Sequence, residues 1–176
     1  MKHIILFFLA AFAGKWAPAQ YKPGDAGSSI QFKIKNLGFT INGSFTGIQG
    51  NIRFDPAHLP DALFDVNIDA NSINTDNSMR DDHLRKEDYF DVKGYPLIRF
   101  VSTKITPSNK TNVLFIFGKL TIKNQTKDIS FPFTATHSNE GWLFKGTFTM
   151  NRRDFGVGGA SIIADNLEVS LNVFAK

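Results

Sequence analysis

The chain has no cysteine among its 176 residues, which excludes disulfide staples, thiolate metal centres, a cysteine nucleophile and a lipid-modified cysteine after an export signal. It has no dense basic block either. Its strongest basic pair, Arg152 and Arg153, is followed at once by Asp154, so the cationic stripe that tracks a phosphate backbone is missing and nucleic acid is not an expected partner. Beyond residue 19, charged or polar residues interrupt every apolar run, and none approaches the ~20 residues of a helical membrane span. No internal repeat, low-complexity tract or second domain is visible. The expectation is a protein of one domain with no membrane anchor.

The one long apolar run lies at the start. Lys2 and His3 precede the unbroken stretch of residues 4–13, and Ala17, Pro18 and Ala19 follow as a small-residue cleavage site. That is the layout of a secretory signal peptide. As a helix the run would rise only ~15 Å, about half a bilayer's hydrocarbon core. Residues 1–19 are therefore set aside as an export signal, with residues 20–176 as the mature domain, periplasmic or secreted. A strand or core helix is the alternative reading of the segment. Its removal lowers the formal charge of +4 by two, because it carries Lys2 and Lys15 and no acid.

From residue 28 onward the dominant signal is alternation, which puts every second side chain on one face of a strand. Ile30, Phe32 and Ile34 alternate with Gln31, Lys33 and Lys35, and Val66, Ile68 and Ala70 with Asp65, Asn67 and Asp69. Leu167, Val169, Leu171 and Val173 alternate with Glu168, Ser170 and Asn172. Further runs cover residues 97–102, 113–122, 129–135 and 142–150, and a glycine-bearing one residues 43–54, giving eight candidate strands. Pro56, Pro60, Pro96 and Pro107 fall at strand ends, whereas Pro132 lies inside a run and implies a bulge or a missing ladder partner. Between two strands, Ser78 as N-cap with Asp81 three residues later reads as a capping box opening a short helix to Glu87.

Short, regularly spaced strands without alternating helices predict an all-β, antiparallel sandwich or barrel. Phenylalanine is the outlier of the composition, with 18 residues, and most of those beyond the leader fall on the strands. Their interleaving with Gly43, Gly47, Gly50, Gly118 and Gly146 favours a barrel, since glycines inside strands let a sheet bend until it closes. A closed eight-stranded barrel is either filled by its side chains or holds one slender ligand. Periodicity does not choose between the two.

Five ordered blocks carry a resemblance. SSIQFKIKNLGF with GSFTGIQGNIRFDP, then DANSINTDNSMRDDHL, DYFDVKGYPLIRFVS, GKLTIKNQTKDISFPF and NRRDFGVGG are similar to successive stretches of the YceI-like family of exported lipid-binding proteins. The chain departs from that pattern at Asn124, where the family usually has glycine, and at Asn36, where the first strand commonly ends in histidine. The resemblance implies a lipocalin-like, eight-stranded barrel with one short helix, enclosing a tunnel for a polyisoprenoid, an isoprenoid quinone or a fatty-acid derivative. It implies a carrier with no cofactor beyond that lipid, and a homodimer is left open. Each buried CH₂ is worth about 0.8 kcal/mol, so a five-carbon prenyl unit contributes ~3 kcal/mol before ordering costs, and no polar anchor is needed. The apolar members of the alternating runs are the expected liners: Phe32, Ile34, Phe45, Ile52, Phe54, Val66, Ile68, Phe100, Phe115, Phe117, Phe131, Phe133, Phe144, Phe148 and Leu171. In residues 113–122 both faces are apolar, and the inward one is not fixed by pattern.

Catalytic chemistry finds little support. His83 with Asp81, Asp82 and Glu87 is half a metal or acid–base site at best, and a solvated helix explains it as well. DANSINTDNS looks like an acidic calcium loop but lacks the central glycine and the closing glutamate. FGVGGAS lacks the third glycine of a dinucleotide fingerprint, and no nucleophile elbow is present. Arg80, Asp81, Arg152 and Asp154 are expected to pair with one another and hold the helix on the barrel, the alternative being that they gate the tunnel mouth. The reading is a binding protein and not an enzyme. An enzyme acting on a bound lipid and a packed-core interaction module are the alternatives.

Overall fold

A computed structural model describes residues 19–176, so the expected export signal lies, but for Ala19, outside the described residues. Ten strands form one antiparallel sheet: β1 (Gln20–Tyr21), β2 (Ser29–Asn36), β3 (Phe39–Phe45), β4 (Gln49–Arg53), β5 (Leu63–Asp69), β6 (Leu97–Pro107), β7 (Leu114–Ile122), β8 (Gln125–Ser138), β9 (Gly141–Asn151) and β10 (Ile163–Ala175). Their spatial order is β1-β4-β5-β6-β7-β8-β9-β10-β2-β3. The one α-helix among the described residues, α1 (Ser78–Leu84), lies in the excursion between β5 and β6.

The expected closed eight-stranded barrel is corrected in two respects. The run at residues 43–54 is two strands and not one, because Gly47 takes φ +74 and turns the chain between β3 and β4. With the short β1 added, the count rises to ten. The sheet also stays open, a curled half-barrel whose edges stand 20 Å apart. The reason lies in strand pairing: β4 takes β1 and β5 as its neighbours and β3 takes β2, so no ladder joins β3 to β4. The connection between them is anchored elsewhere, with Thr46 N–H donating to Ser72 Oγ and the amides of Gly47 and Ile48 to the Asp25 carboxylate. One isolated bridge, Ser44↔Asn74, ties β3 to the excursion.

Pro132 stands in register with Phe115 on β7, and the β8–β9 ladder starts one residue later, at Phe133↔Gly146. The proline thus sits where β8 has no ladder partner on the β9 side. The helix is shorter than expected and is capped differently. Asn77 is the N-cap, its side chain accepting from Arg80 N–H, while Asp81 turns inward to accept from Thr75 N–H (2.9 Å) and Thr75 Oγ1. No capping box forms.

On the convex face Arg99 of β6 grips Asp65 of β5 through Nε–Oδ1 (2.9 Å) and NH2–Oδ2 (2.8 Å). These hydrogen bonds, and then the charge of Arg99, hold the Asp65 carboxyl below its usual range. A carboxyl whose folded pKa is depressed stabilises the fold above its unfolded value of ~3.9, and that contribution is lost as pH falls through the folded value. The two side chains are 56% and 35% exposed, so solvent screening limits the pair to under ~1 kcal/mol. Asp65→Asn is expected to lower the melting midpoint by no more than about 2–4 °C at neutral pH. The difference between variant and parent should shrink in acid melts and vanish once the pH has fallen through the depressed folded value.

Candidate ligand cavity

The inward-facing side chains divide into two zones. At one end the rings of Phe54, Phe64, Phe133, Trp142 and Phe144 interlock, mostly edge to face, with the Phe54 centroid 5.0 Å from that of Trp142 and 5.2 Å from that of Phe144. Ile52, Ile105, Ile116 and Ala175 complete this packed floor. The segment after β1 helps seal it, since Lys22 and Lys176 exchange backbone hydrogen bonds of 2.8 and 3.1 Å.

Toward the other end the concave face encloses an almost wholly apolar cavity of about 220 Å³. A dry cavity of ~150 Å³ is already enough to take up benzene, so this one has room for a branched hydrocarbon segment. Strands β2 and β10 supply Ile34, Leu167 and Val169, and β5, β6 and β9 supply Ile68, Phe100 and Phe148. The roof comes from the excursion, through Ile73, Leu84, Tyr89 and Phe90. A few polar residues also border the cavity, among them Asn36, Thr75, Arg80 and Arg152. The Asn36 Oδ1 atom is buried and has no hydrogen-bond partner.

Two arginines build the cavity's surroundings, but not through the pairing expected from sequence. Arg80 donates through Nε to Thr75 Oγ1 (2.7 Å) and through NH2 to Thr75 O. Arg152, 4% exposed, spends its guanidinium on six acceptors: the carbonyls of Val157, Gly159, Ile163 and Ala164, Ser161 Oγ and Asp165 Oδ1. It thereby organises the connection between β9 and β10. That connection packs tightly on the excursion, for Gly158 N–H donates to Asp88 O (2.8 Å), and a Cβ at Gly158 would fall 2.6 Å from Tyr89 Cε1.

Of the fifteen residues expected as liners, nine border the cavity: Phe32, Ile34, Phe45, Val66, Ile68, Phe100, Phe131, Phe148 and Leu171. Ile52, Phe54, Phe133 and Phe144 lie in the packed floor instead. Phe115 and Phe117 are on the opposite face of the sheet, 37% and 38% exposed, because Ile116, Leu120 and Ile122 take the inward positions of β7. The pattern there was degenerate, with apolar residues on both faces. Leu167, Val169 and Val173 border the cavity as well, and their alternation was visible in the sequence. Ile73, Leu84, Tyr89 and Phe90 had no such signal, since the excursion has no strand period.

The acid–base candidates are otherwise engaged. Asp81 is buried against Thr75 as described, and His83 is exposed with its ring edge-on to Tyr89 at 4.9 Å. Among the described residues no group of three or more His, Cys, Asp or Glu is placed to hold a metal ion.

Gly43 sets the shape of one wall. It lies opposite Phe32 across the β2–β3 ladder, and a Cβ there would stand 2.2 Å from Phe32 Cζ. The ring is the movable partner and the cavity is the open space, so Gly43→Ala is expected to push Phe32 into the cavity. Binding of a long-chain fluorescent probe should weaken about tenfold, equivalent to ~1.4 kcal/mol. Overpacking of this kind costs about 1–3 kcal/mol in stability, which a thermal melt would read as a drop of several degrees.

A profile of the YceI-like domain matches residues 21–175 of the chain. A UPF0312 protein of Pseudomonas putida (strain W619) is 31% identical over 172 residues, spanning 92% of this chain and 88% of that protein. Among solved structures, Burkholderia cenocepacia BcnA superposes with a TM-score of 0.80 at 29% identity, covering 86% of this chain and 98% of that one. A polyisoprenoid binding domain from Saccharophagus degradans, implicated in plant cell wall breakdown, shares the fold with a TM-score of 0.71 at 13% identity, over 91% of this chain and 99% of its own. A continuous match over the whole described sheet, joined to this cavity-bearing architecture, places the chain in the YceI-like family.

Proposed function

We propose that the chain is an exported, periplasmic or secreted carrier or reservoir that holds a long apolar molecule, of polyisoprenoid, isoprenoid quinone or fatty-acid type, in the cavity beneath the excursion. The observation that carries the reading is the cavity itself. Some 220 Å³ of space bounded mainly by aliphatic and aromatic side chains disfavours ions and free polar metabolites, because an unpaired polar group loses several kcal/mol there. A hydrocarbon chain loses nothing and gains about 0.8 kcal/mol per buried CH₂. The description of the Saccharophagus degradans domain as polyisoprenoid binding supports the same class of ligand. The unpartnered Asn36 oxygen offers one acceptor to a head group that donates a hydrogen bond. Among the described residues that border the cavity there is no Asp, Glu, His or Lys, which favours binding over catalysis.

The test is to purify the protein from its native host, extract it with organic solvent and identify the released molecule by mass spectrometry. A stoichiometric long-chain amphiphile is the expected result. Native mass spectra that contain only unliganded protein, from several hosts, would overturn the reading.

A further inference from the structure

We propose that the open end of the cavity docks on a lipid bilayer through an apolar rim made by Leu37, Phe39 and Ile162, and that ligand enters and leaves across this contact. The docking rests on the rim alone, and the passage of ligand rests on the carrier function above.

Three of the four most exposed large apolar side chains among the described residues meet at this one place: Phe39 (75%), Ile162 (72%) and Leu37 (70%). The register brings them together. Asn36 is paired with Phe39 on one side and with Ile163 on the other, so Ile162 falls beside Leu37 at the next step of the antiparallel pair. Phe39 shares the concave face with Ile41 and Phe45, two residues apart along the strand, and both of those border the cavity. The rim is thus the outward continuation of the cavity wall, and Asn36, Ile41 and Ile163 form the joint between them.

The hairpin tip is built at a conformational cost that the fold does not need. Leu37 takes φ +50 and Gly38 φ +85, a left-handed pair for which Asn-Gly is the favoured sequence. The Leu37 side chain, 70% exposed, gains little from packing there. Strain of this kind, kept to expose an apolar side chain, points to an external contact.

The charge around the rim selects a bilayer as the occupant. Residues 26–54 contain no Asp or Glu, and residues 155–164 contain no charged residue at all. Lys35 is exposed at the base of the tip, with its ammonium on Thr40 Oγ1 (2.7 Å). The acid next in sequence to Ile162, Asp165, is already paired with Arg152 and Arg153, so the rim's apolar side chains beside Lys35 match the lipid–water interface, where the chains accept the first and anionic head groups the second.

The experiment is flotation of protein isolated from its native host with mixed phosphatidylethanolamine and phosphatidylglycerol vesicles. The parent should float. The triple variant Leu37→Asn, Phe39→Thr, Ile162→Thr should lose roughly tenfold or more of its bound fraction. Asparagine suits the left-handed turn, so the variant is expected to fold at least as well as the parent, which circular dichroism checks. A second variant, Phe39→Trp, should show blue-shifted emission and quenching by brominated lipid chains, while Trp142 of the parent, in the packed floor, should remain unquenched. None of the three residues borders the cavity, so equilibrium uptake of a fluorescent polyprenyl alcohol should be equal in parent and triple variant. A parent that floats but takes up no prenyl alcohol retains the docking and loses the carrier function. A parent that does not float overturns the docking, and so does a triple variant that floats as well as the parent. Self-association through the rim, seen as a parental dimer that the triple variant abolishes without any vesicle binding, overturns it too.

Discussion

Val169→Asp is expected to empty the cavity, while Phe115→Asp leaves it loaded. Val169 lies between Phe32 and Phe148 across the two ladders of β10 and borders the cavity. A carboxylate there must either drag water into the apolar space or take up a proton, and each removes apolar contact from the ligand. Loss of affinity for a long-chain probe should reach roughly a hundredfold, about 2.7 kcal/mol. Val169→Ala serves as the control, because it widens the cavity and should retain binding. Phe115 faces outward beside Phe117, with ring centroids 6.4 Å apart, so a charge at that position meets solvent. If Phe115→Asp empties the protein and Val169→Asp does not, the inward face of the sheet has been assigned the wrong way round.

The second large effect belongs to Arg152. Replacing it with leucine leaves the carbonyls of Val157, Gly159, Ile163 and Ala164 without their shared donor, and it strands Asp165 beside Arg153 alone. Breaking a buried charged network by removing one partner costs about 3–5 kcal/mol, a fall of about 10 °C in the melting midpoint for a domain of this size. Arg152→Lys should recover little of it, since an ammonium has three donors on a point and cannot span six acceptors in the plane of a guanidinium. Limited proteolysis should cut the variant first within residues 157–163. A variant that melts with the parent would show that the connection is held by Gly158 and Tyr89 and not by the arginine.

The same Arg152 illustrates a limit of pattern reading. Sequence singled out Arg80, Asp81, Arg152 and Asp154 as partners for one another, on the strength of their places in the two connections that most resemble the family. The folded chain gives Asp81 to Thr75, Arg80 to Thr75 and Arg152 mainly to backbone carbonyls. Backbone acceptors carry no residue identity, so a side chain destined for them has no visible partner in the sequence. Residues Ile73 to Phe90 of the roof escaped for a related reason. They are brought over the cavity by turns and by α1, whose seven residues are too short for a legible apolar stripe.

Though it gave no sign of β1 and did not separate β3 from β4, alternation determined most of the strands of this protein and the inward face of most of them, because a period of two is imposed by the backbone and survives in any tertiary setting. It also supplied nine of the residues that border the cavity, and the ordered blocks along the chain led to the family. Whether the sheet closes was a tertiary matter, settled by long-range pairing that sets β1 beside β4 and leaves β3 as the other edge, with the connection from β3 anchored on Ser72 and Asp25, more than 20 residues away. So was the division of the interior into a floor of interlocked rings and a hollow above it. Both zones are lined by the same kinds of apolar residue, and only the separation of the strands and the placing of the excursion decide which side chains meet and which leave space between them.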